Sequence, residues 1–351
     1  MKTKTDYQVL GIMSGTSLDG VDLALCSFSK EKKWKYKIQK TKTILYSKYW
    51  KEKLNYLHQK SDKEIAEANS EYGKYLAIVI LNFKKEHHLS FDYIASHGHT
   101  IFHQPKNNFT LQIGCGKTIS ETTKITTINN FRSLDISLGG QGAPLVPVGD
   151  LHLFNKYKYC LNLGGFSNIS IKEKGEIIAF DICPVNIILN QLSQNLGFEF
   201  DKNGDFAKSG ELIPELLNKL NKLDYYKQES PKSLAREWVE KNINPLLNPK
   251  QKTKDILHTL CEHIAIQISK HLIDEKALFT GGGVFNSYLM ERIKHFSKSE
   301  IILPSKEIIE FKESLIFAFL GILKLRNEVN SLKSVTGATK DNCGGIIHAY
   351  S

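Results

Sequence analysis

The chain has 351 residues, of which 41% are hydrophobic and 24% are charged, so it is long enough for two domains and too ordinary in composition to be largely disordered. Its formal net charge of +10 comes from lysines scattered over many segments, a pattern typical of a solvated surface and not of a nucleic-acid interface. No apolar run approaches the roughly 18 residues of a membrane span, and the first residues lack a signal-peptide pattern. Because the cysteines also form no Cys-x-x-Cys pair, we expect a reduced, cytoplasmic protein without membrane contact.

The first predicted elements are two strands joined by a polar turn. Alternating apolar residues predict strands over 7–13 and 21–29, and the turn SGTSLDG (14–20) lies between them. Glycine lets the backbone approach an anion closely, and the serine and threonine hydroxyls of the turn add donors. Asp19 and Asp22 offer the carboxylate oxygens that Mg²⁺ prefers. Taken alone, the pattern fits a plain hairpin turn equally well.

The next segments carry histidines and an arginine in polar surroundings. The segment SHGHTIFHQP (96–105) clusters three histidines, but no carboxylate or cysteine completes a zinc set, so hydrogen-bonding loop histidines are favoured. The Gly- and Pro-rich segment 129–150, with Arg132 and Asp135, fits either an interdomain linker or a contact to a sugar or carboxylate. The regular elements predicted before these segments are a strand near 38–46, helices over 48–59 and 62–87, and a strand at 93–96.

The second half repeats the order of the first. A strand over 157–163, the glycine turn GGFSN (164–168) and a returning strand suggest a duplicated α/β unit. Asp181 lies at the end of the next predicted strand, where a carboxylate could act as a general base or cap a helix.

Three glycines follow a later predicted strand. A helical pattern over 253–274 precedes a strand over 277–280, the glycine turn 281–283 and a helix over 286–296. Strand, glycine turn and helix in that order form a common ligand site of α/β sheets, and the helix N-terminus favours negative charge. Three such turns, ordered along a duplicated chain, indicate phosphate binding more strongly than any one of them.

These motifs resemble those of the anhydro-N-acetylmuramic acid kinase family, in the superfamily of sugar kinases, actin and heat-shock chaperones. The resemblance implies an α/β fold of two duplicated ribonuclease-H-like (actin-like ATPase) domains that flank an ATP cleft. The domains are expected at 1–130 and 131–351, with the last residues packing back on the first domain. The motifs run in order over nearly the whole chain: GIMSGTSLDGVD (11–22), SHGHTIFHQP (96–105), FRSLDISLGGQGAPLVP (131–147), LNLGGFSNIS (161–170), FEFDKNGDFAKSG (198–210), TGGGVFNSYLMERI (280–293), ESLIFAFL (313–320) and SVTGAT (334–339).

The resemblance also implies an activity and a set of site residues. The implied enzyme is a transferase that uses ATP and Mg²⁺ to open the 1,6-anhydro ring of anhydro-N-acetylmuramate, adding water at C1 and phosphate at O6. Its product is N-acetylmuramic acid 6-phosphate, made in peptidoglycan recycling by a homodimer. Asp181 is the implied catalytic base, and Asp19 and Asp22 are implied for Mg²⁺. The implied sugar contacts are His97, Arg132, Asp135, Asn186 and Glu313. The implied nucleotide contacts are Gly15, Thr16, Ser17, Leu18, Asp19, Gly20, Val21, Asp22, Gly164, Gly165, Gly281, Gly282, Gly283 and Asn286.

Two short stretches depart from the family pattern. The family usually has Asp-Thr-Gly-Pro-Gly-Asn where this chain has DICPVN (181–186), and Asp-Phe-Arg where it has Asn-Phe-Arg (130–132). Cys183 and Val185 replace glycines, and we expect them to add bulk where the substrate lies. Three alternatives therefore stay open: a related amino-sugar kinase without ring hydrolysis, an ATP-gated protein that binds a partner without catalysis, and a nucleic-acid binder.

Overall fold

The computed structural model describes residues 5–15 and 18–350. The chain divides into two compact units. Unit 1 runs to Leu153 and resumes at Phe311, and unit 2 is Phe154–Glu310. In the part of the chain that the structure describes, no helix is both long and apolar enough to cross a membrane.

Each unit begins with three consecutive strands, and helices follow between the later strands. The strands are β1 Asp6–Met13, β2 Gly20–Lys30, β3 Trp34–Leu45, β4 Tyr93–Ser96, β5 His99–Gln104, β6 Phe109–Ile113, β7 Thr126–Asn129, β8 Tyr159–Leu163, β9 Phe166–Glu173, β10 Glu176–Pro184, β11 Lys276–Thr280, β12 Glu300–Ile302 and β13 Ile346–His348. The helices are α1 Lys48–Tyr56, α2 Asp62–Glu86, α3 Gly116–Thr123, α4 Ser133–Ser137, α5 Val146–His152, α6 Asn186–Gln194, α7 Asp205–Lys208, α8 Pro214–Asn221, α9 Arg236–Asn242, α10 Thr253–Ser269, α11 Ser287–Phe296, α12 Lys306–Leu325 and α13 Lys333–Thr336.

The two main sheets share one topology. In unit 1 the order is β13-β7-β4-β1-β2-β3, and in unit 2 it is β10-β9-β8-β11-β12. In each unit the first three strands form an antiparallel meander, and the next two run parallel to the first strand. Numbered within its own unit, each sheet has the strand order 3-2-1-4-5, with β13 added at one edge of unit 1. The expected duplication of a ribonuclease-H-like α/β unit is confirmed.

Each unit has its own hydrophobic core. In unit 1 the apolar faces of β1 and β2 pack with those of α1, α2 and α3. In unit 2 the strands pack with α6, α10 and α11. The middle residues of β1 and β2, 10–12 and 23–26, are buried without a break, so both faces of these strands are covered.

The predicted boundary at residues 130–131 differs from the observed division and is corrected. Residues 131–153 and 311–350 lie in unit 1 because α12 packs directly on its sheet. A Cβ atom on Gly11 would lie 1.9 Å from the Ser314 carbonyl oxygen, and one on Gly321 would lie 2.7 Å from Ala95 Cβ. The expected return of the last residues to the first domain is observed as the pairing of β13 with β7.

The histidine segment is also corrected. Residues 99–104 form strand β5, which pairs with β6 in a separate two-stranded sheet, where we expected a loop. Among the described residues, no three His, Cys, Asp or Glu side chains come together as a metal site would require.

Helix α2 begins at a capping box, which gives a first testable prediction. Ser61 accepts a hydrogen bond from Glu64 N, and the Glu64 carboxylate accepts one from Ser61 N at 2.9 Å. Ser61→Ala is expected to lower the free energy of unfolding by about 1 kcal/mol, because the helix N-terminus loses its cap. Urea denaturation measures the change.

Ser70 on the same helix provides the matched control. It is exposed and only reaches the Ala66 carbonyl oxygen at 3.5 Å, so Ser70→Ala is expected to leave stability unchanged or slightly raised. Equal losses in both variants would contradict a role for the cap.

Candidate active site

The first glycine turn, between β1 and β2, is tight. Leu18 has a φ of +60°, and its N–H donates to the Gly15 carbonyl oxygen over 3.4 Å. A Cβ atom on Gly20 would lie 2.3 Å from the Ile44 carbonyl oxygen, so only glycine fits beside β3. The sequence of the turn is thus explained by its geometry as well as by the phosphate binding that we predicted.

Side chains just after this turn alternate between the core and the surface. Val21 is fully buried in the core of unit 1, so only its backbone could contact a nucleotide. Asp19 is exposed, whereas Asp22 is half-buried and accepts a hydrogen bond from Thr43 Oγ1 at 2.5 Å. Two predicted nucleotide contacts lie outside the described residues: Thr16 and Ser17.

A buried polar cluster holds the residue that begins the turn. Ser14 Oγ lies 2.6 Å from Tyr46 OH, 2.9 Å from His99 Nδ1 and 3.1 Å from Tyr72 OH. Desolvation lowers the pKa of His99 to about 4, so this histidine is neutral at physiological pH. The Ser14 hydroxyl, which we counted among the possible phosphate donors, is therefore used inside the protein.

Arg132 is held by His97 and by the backbone of its own loop. His97 Nδ1 lies 2.9 Å from the Gly98 carbonyl oxygen, which favours a proton on Nδ1 and leaves Nε2 as an acceptor. Arg132 Nε and Nη2 lie 3.1 and 2.9 Å from that Nε2 atom, and Nη1 donates to the Gly142 carbonyl oxygen at 2.7 Å. Desolvation and the Arg132 charge hold the pKa of His97 well below its usual value. His97 was predicted as a sugar contact, but it is buried and orients Arg132 instead.

The charge of the Arg132 guanidinium interacts with that of the Glu313 carboxylate. Desolvation lowers the pKa of Arg132 to about 10, so the guanidinium stays charged at neutral pH. Desolvation raises the pKa of Glu313 on α12, while the charges of Arg132 and Lys312 oppose the rise. The neighbouring ion pair between Lys312 Nζ and Asp150 Oδ1, 2.7 Å long and buried, anchors α12. Arg132 and Glu313 thus form a polar surface suited to carboxylate and hydroxyl groups.

Asp135 has a structural role, which corrects its prediction as a sugar contact. Its side chain is completely buried. Oδ1 accepts hydrogen bonds from Ser331 Oγ at 2.7 Å and from Thr336 Oγ1 and Asn342 Nδ2 at 2.8 Å each, and Oδ2 accepts one from Gly142 N at 2.8 Å. The carboxylate therefore ties the segment that contains Arg132 to the C-terminal part of unit 1 and offers no oxygen to a ligand.

In unit 2 the two remaining glycine turns lie at the carboxyl ends of two neighbouring strands. Strands β8 and β11 are parallel neighbours, so their carboxyl ends, and the turns that follow, lie side by side. Gly281 has a φ of +84°, and a Cβ atom on it would lie 2.4 Å from Asn162 Oδ1. A Cβ atom on Gly283 would lie 2.8 Å from Leu163 Cβ, whereas Gly282 has open space around it. The predicted Gly164–Gly165 and Gly281–Gly283 turns are thus brought together.

Two asparagines support these turns. Asn186 N donates to the Gly164 carbonyl oxygen and its Nδ2 donates to the Leu163 carbonyl oxygen, both at 3.2 Å. Asn286 caps α11, because its Oδ1 accepts a hydrogen bond from Leu289 N at 2.9 Å. The side chain of each asparagine, which we predicted to contact ligand, makes at least one contact that shapes a turn.

Asp181 is placed on β10 and is half-buried. Its Oδ2 accepts a hydrogen bond from Leu234 N at 2.8 Å. Desolvation raises the pKa of the carboxyl above its usual value, and this hydrogen bond partly opposes the rise. The helix that follows begins with Val185 as its N-cap residue, so the alternative of a capping role for Asp181 is wrong. A desolvated, oriented carboxylate suits a general base.

The sequence of this chain was compared with known families and proteins to learn which family it belongs to. A family model described as anhydro-N-acetylmuramic acid kinase matches residues 7–350. A relative of that name from Actinobacillus pleuropneumoniae is 34% identical, over 99% of this chain and 99% of its own. The chain belongs to the anhydro-N-acetylmuramic acid kinase family. The family and the kinase class that the sequence motifs implied are confirmed.

A second relative carries the same name, and one solved structure is a more distant match. A protein named anhydro-N-acetylmuramic acid kinase from Sulfurimonas denitrificans is 33% identical, over 97% of this chain and 98% of its own. A solved xylulose kinase from Lactobacillus acidophilus aligns with 90% of this chain and 89% of its own at 9% identity, with a TM-score of 0.44. Such a distant structural likeness says nothing about function.

The two residues near Asp181 that depart from the family pattern have side chains buried in the protein. Cys183 and Val185 are both 0% exposed and belong to the core of unit 2. The expectation that they add bulk at the substrate is therefore wrong. The register of β10 shifts between Asp181 and Cys183, so these two residues do not share a face as strict alternation would require.

The sequence did not reveal the residues that form hydrogen bonds with Ser14 and Asp181. Tyr46 and Tyr72 contact Ser14, and Leu234 and Tyr225 contact Asp181. These partners lie 32 to 58 residues apart in the chain. No local pattern marks them, and the Leu234 donor is a backbone group that any residue except proline supplies.

Proposed function

We propose that this protein is an ATP-dependent kinase that opens the 1,6-anhydro ring of anhydro-N-acetylmuramic acid and phosphorylates O6 to give N-acetylmuramic acid 6-phosphate. Family membership supports the proposal, and one observation carries the chemistry. That observation is the half-buried Asp181 carboxylate, whose pKa is raised by desolvation, three residues before the end of the strand that leads to Asn186. A base of this kind can activate water, which ring opening requires.

The proposed reaction consists of ring opening by water followed by phosphoryl transfer to O6. Asp181 takes a proton from the water that attacks C1, and the bond between C1 and O6 breaks. O6 then attacks the γ-phosphorus of ATP, and ADP leaves. Phosphoryl transfer depends on positioning and on neutralising charge more than on covalent help from the protein. Glycine turns such as those of this chain would supply backbone N–H groups for phosphates.

The donor set of the first turn fits Mg²⁺. Proteins commonly hold this ion through one or two carboxylates while phosphate oxygens and water complete its octahedron. The exposed Asp19 and the half-buried Asp22 supply such carboxylates, and the ion would neutralise phosphate charge when bound. Arg132 and Glu313 are the proposed sugar contacts of unit 1, with the guanidinium suited to the carboxylate of the muramyl lactyl group.

The test is ADP release from Mg²⁺-ATP with four additions: 1,6-anhydro-N-acetylmuramate, N-acetylmuramate, N-acetylglucosamine or no sugar. Turnover is expected with the anhydro sugar alone, giving a product heavier than that sugar by HPO₃ plus H₂O. In H₂¹⁸O the label is expected at C1 and not in the phosphate, with N-acetylmuramate in the same water as the control for anomeric exchange.

Two other results would replace the proposal. Turnover with a plain hydroxyl sugar and without water uptake would indicate an amino-sugar kinase without ring hydrolysis. The inward-facing side chains of Cys183 and Val185 remove the reason for favouring that alternative. ATP hydrolysis that no sugar stimulates would indicate an ATP-gated binding protein.

A further inference from the structure

Residues 225–234 of unit 2, here called the covering segment, contact Asp181 in three places. Asp181 N donates to the Lys232 carbonyl oxygen at 3.2 Å, and Leu234 N donates to Asp181 Oδ2 at 2.8 Å. Tyr225 OH donates to the Asp181 carbonyl oxygen at 2.6 Å. The covering segment therefore bonds to the side chain and to both backbone polar groups of one residue.

The place of Asp181 in the sheet explains why such support is needed. Strand β10 lies at the edge of its sheet, and β9 is its one neighbour among the described strands. The pairing register slips between Asp181 and Cys183, and a bulge of this kind re-aims side chains and interrupts regular pairing. Without the covering segment, the edge of β10 at Asp181 would lack these backbone partners.

The covering segment is itself fastened to β10. Lys232 Nζ donates to the carbonyl oxygens of Tyr225 at 3.3 Å and Gln228 at 2.9 Å, which closes the segment on itself. The same ammonium lies 5.5 Å from the centre of the Phe180 ring, next to Asp181 in the strand. Tyr225 is buried and packs against Trp238, with 5.3 Å between ring centres. The segment thus has a fixed position from which to orient the carboxylate.

We propose that the covering segment positions the general base, with Tyr225 fixing the Asp181 backbone and the Leu234 N–H fixing the carboxylate so that Oδ1 faces the water. This inference rests on the proposed function and adds positioning residues to it. Within the described residues, Leu234 N is the hydrogen-bond donor to the carboxylate, and it bonds to Oδ2. Oδ1 is then the oxygen that accepts the proton.

The groups around Asp181 allow the sign of a pH effect to be stated. Burial raises the pKa values of Tyr225 and Cys183, which therefore stay neutral near Asp181. His271, against the Phe180 ring, has a pKa lowered to about 4 and is also neutral, while desolvation lowers the pKa of the Lys232 ammonium. Because the Leu234 hydrogen bond lowers the pKa of Asp181, its removal should raise that pKa further.

Leu234→Pro removes the N–H, and Leu234→Ala, which keeps it, is the matched reference. Relative to Leu234→Ala, the proline variant is expected to lose about 10²-fold in kcat, the cost typical of a misplaced catalytic group, with little change in the KM for ATP. The acidic limb of its pH–rate profile should lie at higher pH. Equal kcat values and the same acidic limb in both variants would overturn the proposal.

Tyr225→Phe tests the backbone contact and covers the case in which Leu234→Pro does not fold. It is expected to lower kcat about tenfold, the scale of one hydrogen bond to a well-placed partner, again without raising the KM for ATP. A loss of stability without a lower kcat in the folded fraction would show that Tyr225 acts on folding alone and would count against the proposal.

The titration of Asp181 separates this inference from the proposed function. The ¹³C carboxyl signal of Asp181, assigned by its absence in Asp181→Asn, gives its pKa without any turnover. A higher pKa in Leu234→Pro than in Leu234→Ala supports positioning even if the wild-type protein fails on the anhydro sugar. Identical titration curves would refute it even if the wild-type protein is fully active.

Discussion

Asp181→Asn is expected to lower kcat by about 10² to 10⁴, the usual contribution of a general base, while ATP binding is largely retained. Asparagine keeps the size of the side chain and can still accept the Leu234 hydrogen bond, but it cannot take a proton from water. Steady-state ADP release measures kcat, and calorimetric titration with a non-hydrolysable ATP analogue measures nucleotide affinity.

The pH profile supplies a second expected result. The folded protein raises the pKa of Asp181 through desolvation, so the active, ionised form is lost as the pH falls through that raised value. The wild-type rate should therefore decline on the acidic side at a pH above the ordinary pKa of an aspartate. The residual activity of Asp181→Asn should lack this limb.

A surface aspartate serves as the control. Asp274 is exposed in the same unit, in the turn before β11 and outside the covering segment, so Asp274→Asn is expected to leave kcat unchanged. If Asp181→Asn turned over within twofold of the wild-type rate, Asp181 would be removed from the mechanism. If both variants lost activity equally, the effect would belong to the fold of unit 2.

The two sheets could be predicted from the sequence because their signals are local. Each first hairpin alternates apolar residues and has glycine at its tip, and both hairpins recur in β1–β2 and β8–β9, although β9 begins at Phe166, inside the predicted turn 164–168. The same is true of the glycine turn before α11. What the sequence could not place was α12, whose contact with β1 joins residues about 300 positions apart, at Gly11 and Ser314.

The orientation of individual side chains near Asp181 was less predictable. The expected bulk at the substrate rested on Cys183 replacing a family glycine two residues after Asp181, and regular alternation would place both residues on one face of β10. One extra residue at the bulge breaks that period, so Ile182 and Cys183 are both buried. A bulge leaves no reliable mark in a single sequence, and the meaning of the departures from the family pattern could only be judged in three dimensions.

The same limit applies to Asp135. An arginine and an aspartate three residues apart fit a ligand site and a structural anchor equally well in sequence. The partners that decide the matter are donors near the end of the chain, of which Ser331 and Asn342 lie 196 and 207 residues away. Once these contacts are known, Asp135 explains how the Arg132 loop keeps its shape.

Asp135→Ala is accordingly expected to lower the free energy of unfolding by about 3 to 5 kcal/mol, because several buried donors each lose a hydrogen bond at a cost of about 1 to 3 kcal/mol. It would leave buried donors of four residues without their acceptor: Gly142, Ser331, Thr336 and Asn342. Equilibrium denaturation, followed through the transition of unit 1, measures the loss. Ser331→Ala removes one donor and keeps the carboxylate, so it should cost only about 1 kcal/mol.

Kinetics on the folded variant distinguish the structural role from a sugar contact. Asp135→Asn keeps the shape of the side chain but replaces one acceptor oxygen with an NH₂ donor. In either orientation this NH₂ group faces another donor, Gly142 N on one side or the three donors on the other. The variant should therefore also lose stability. Since Gly142 also accepts from Arg132, any rise in the KM for sugar should accompany that loss. A raised KM for sugar with unchanged stability would instead return Asp135 to the substrate site, because only a residue that touches the ligand could produce that combination.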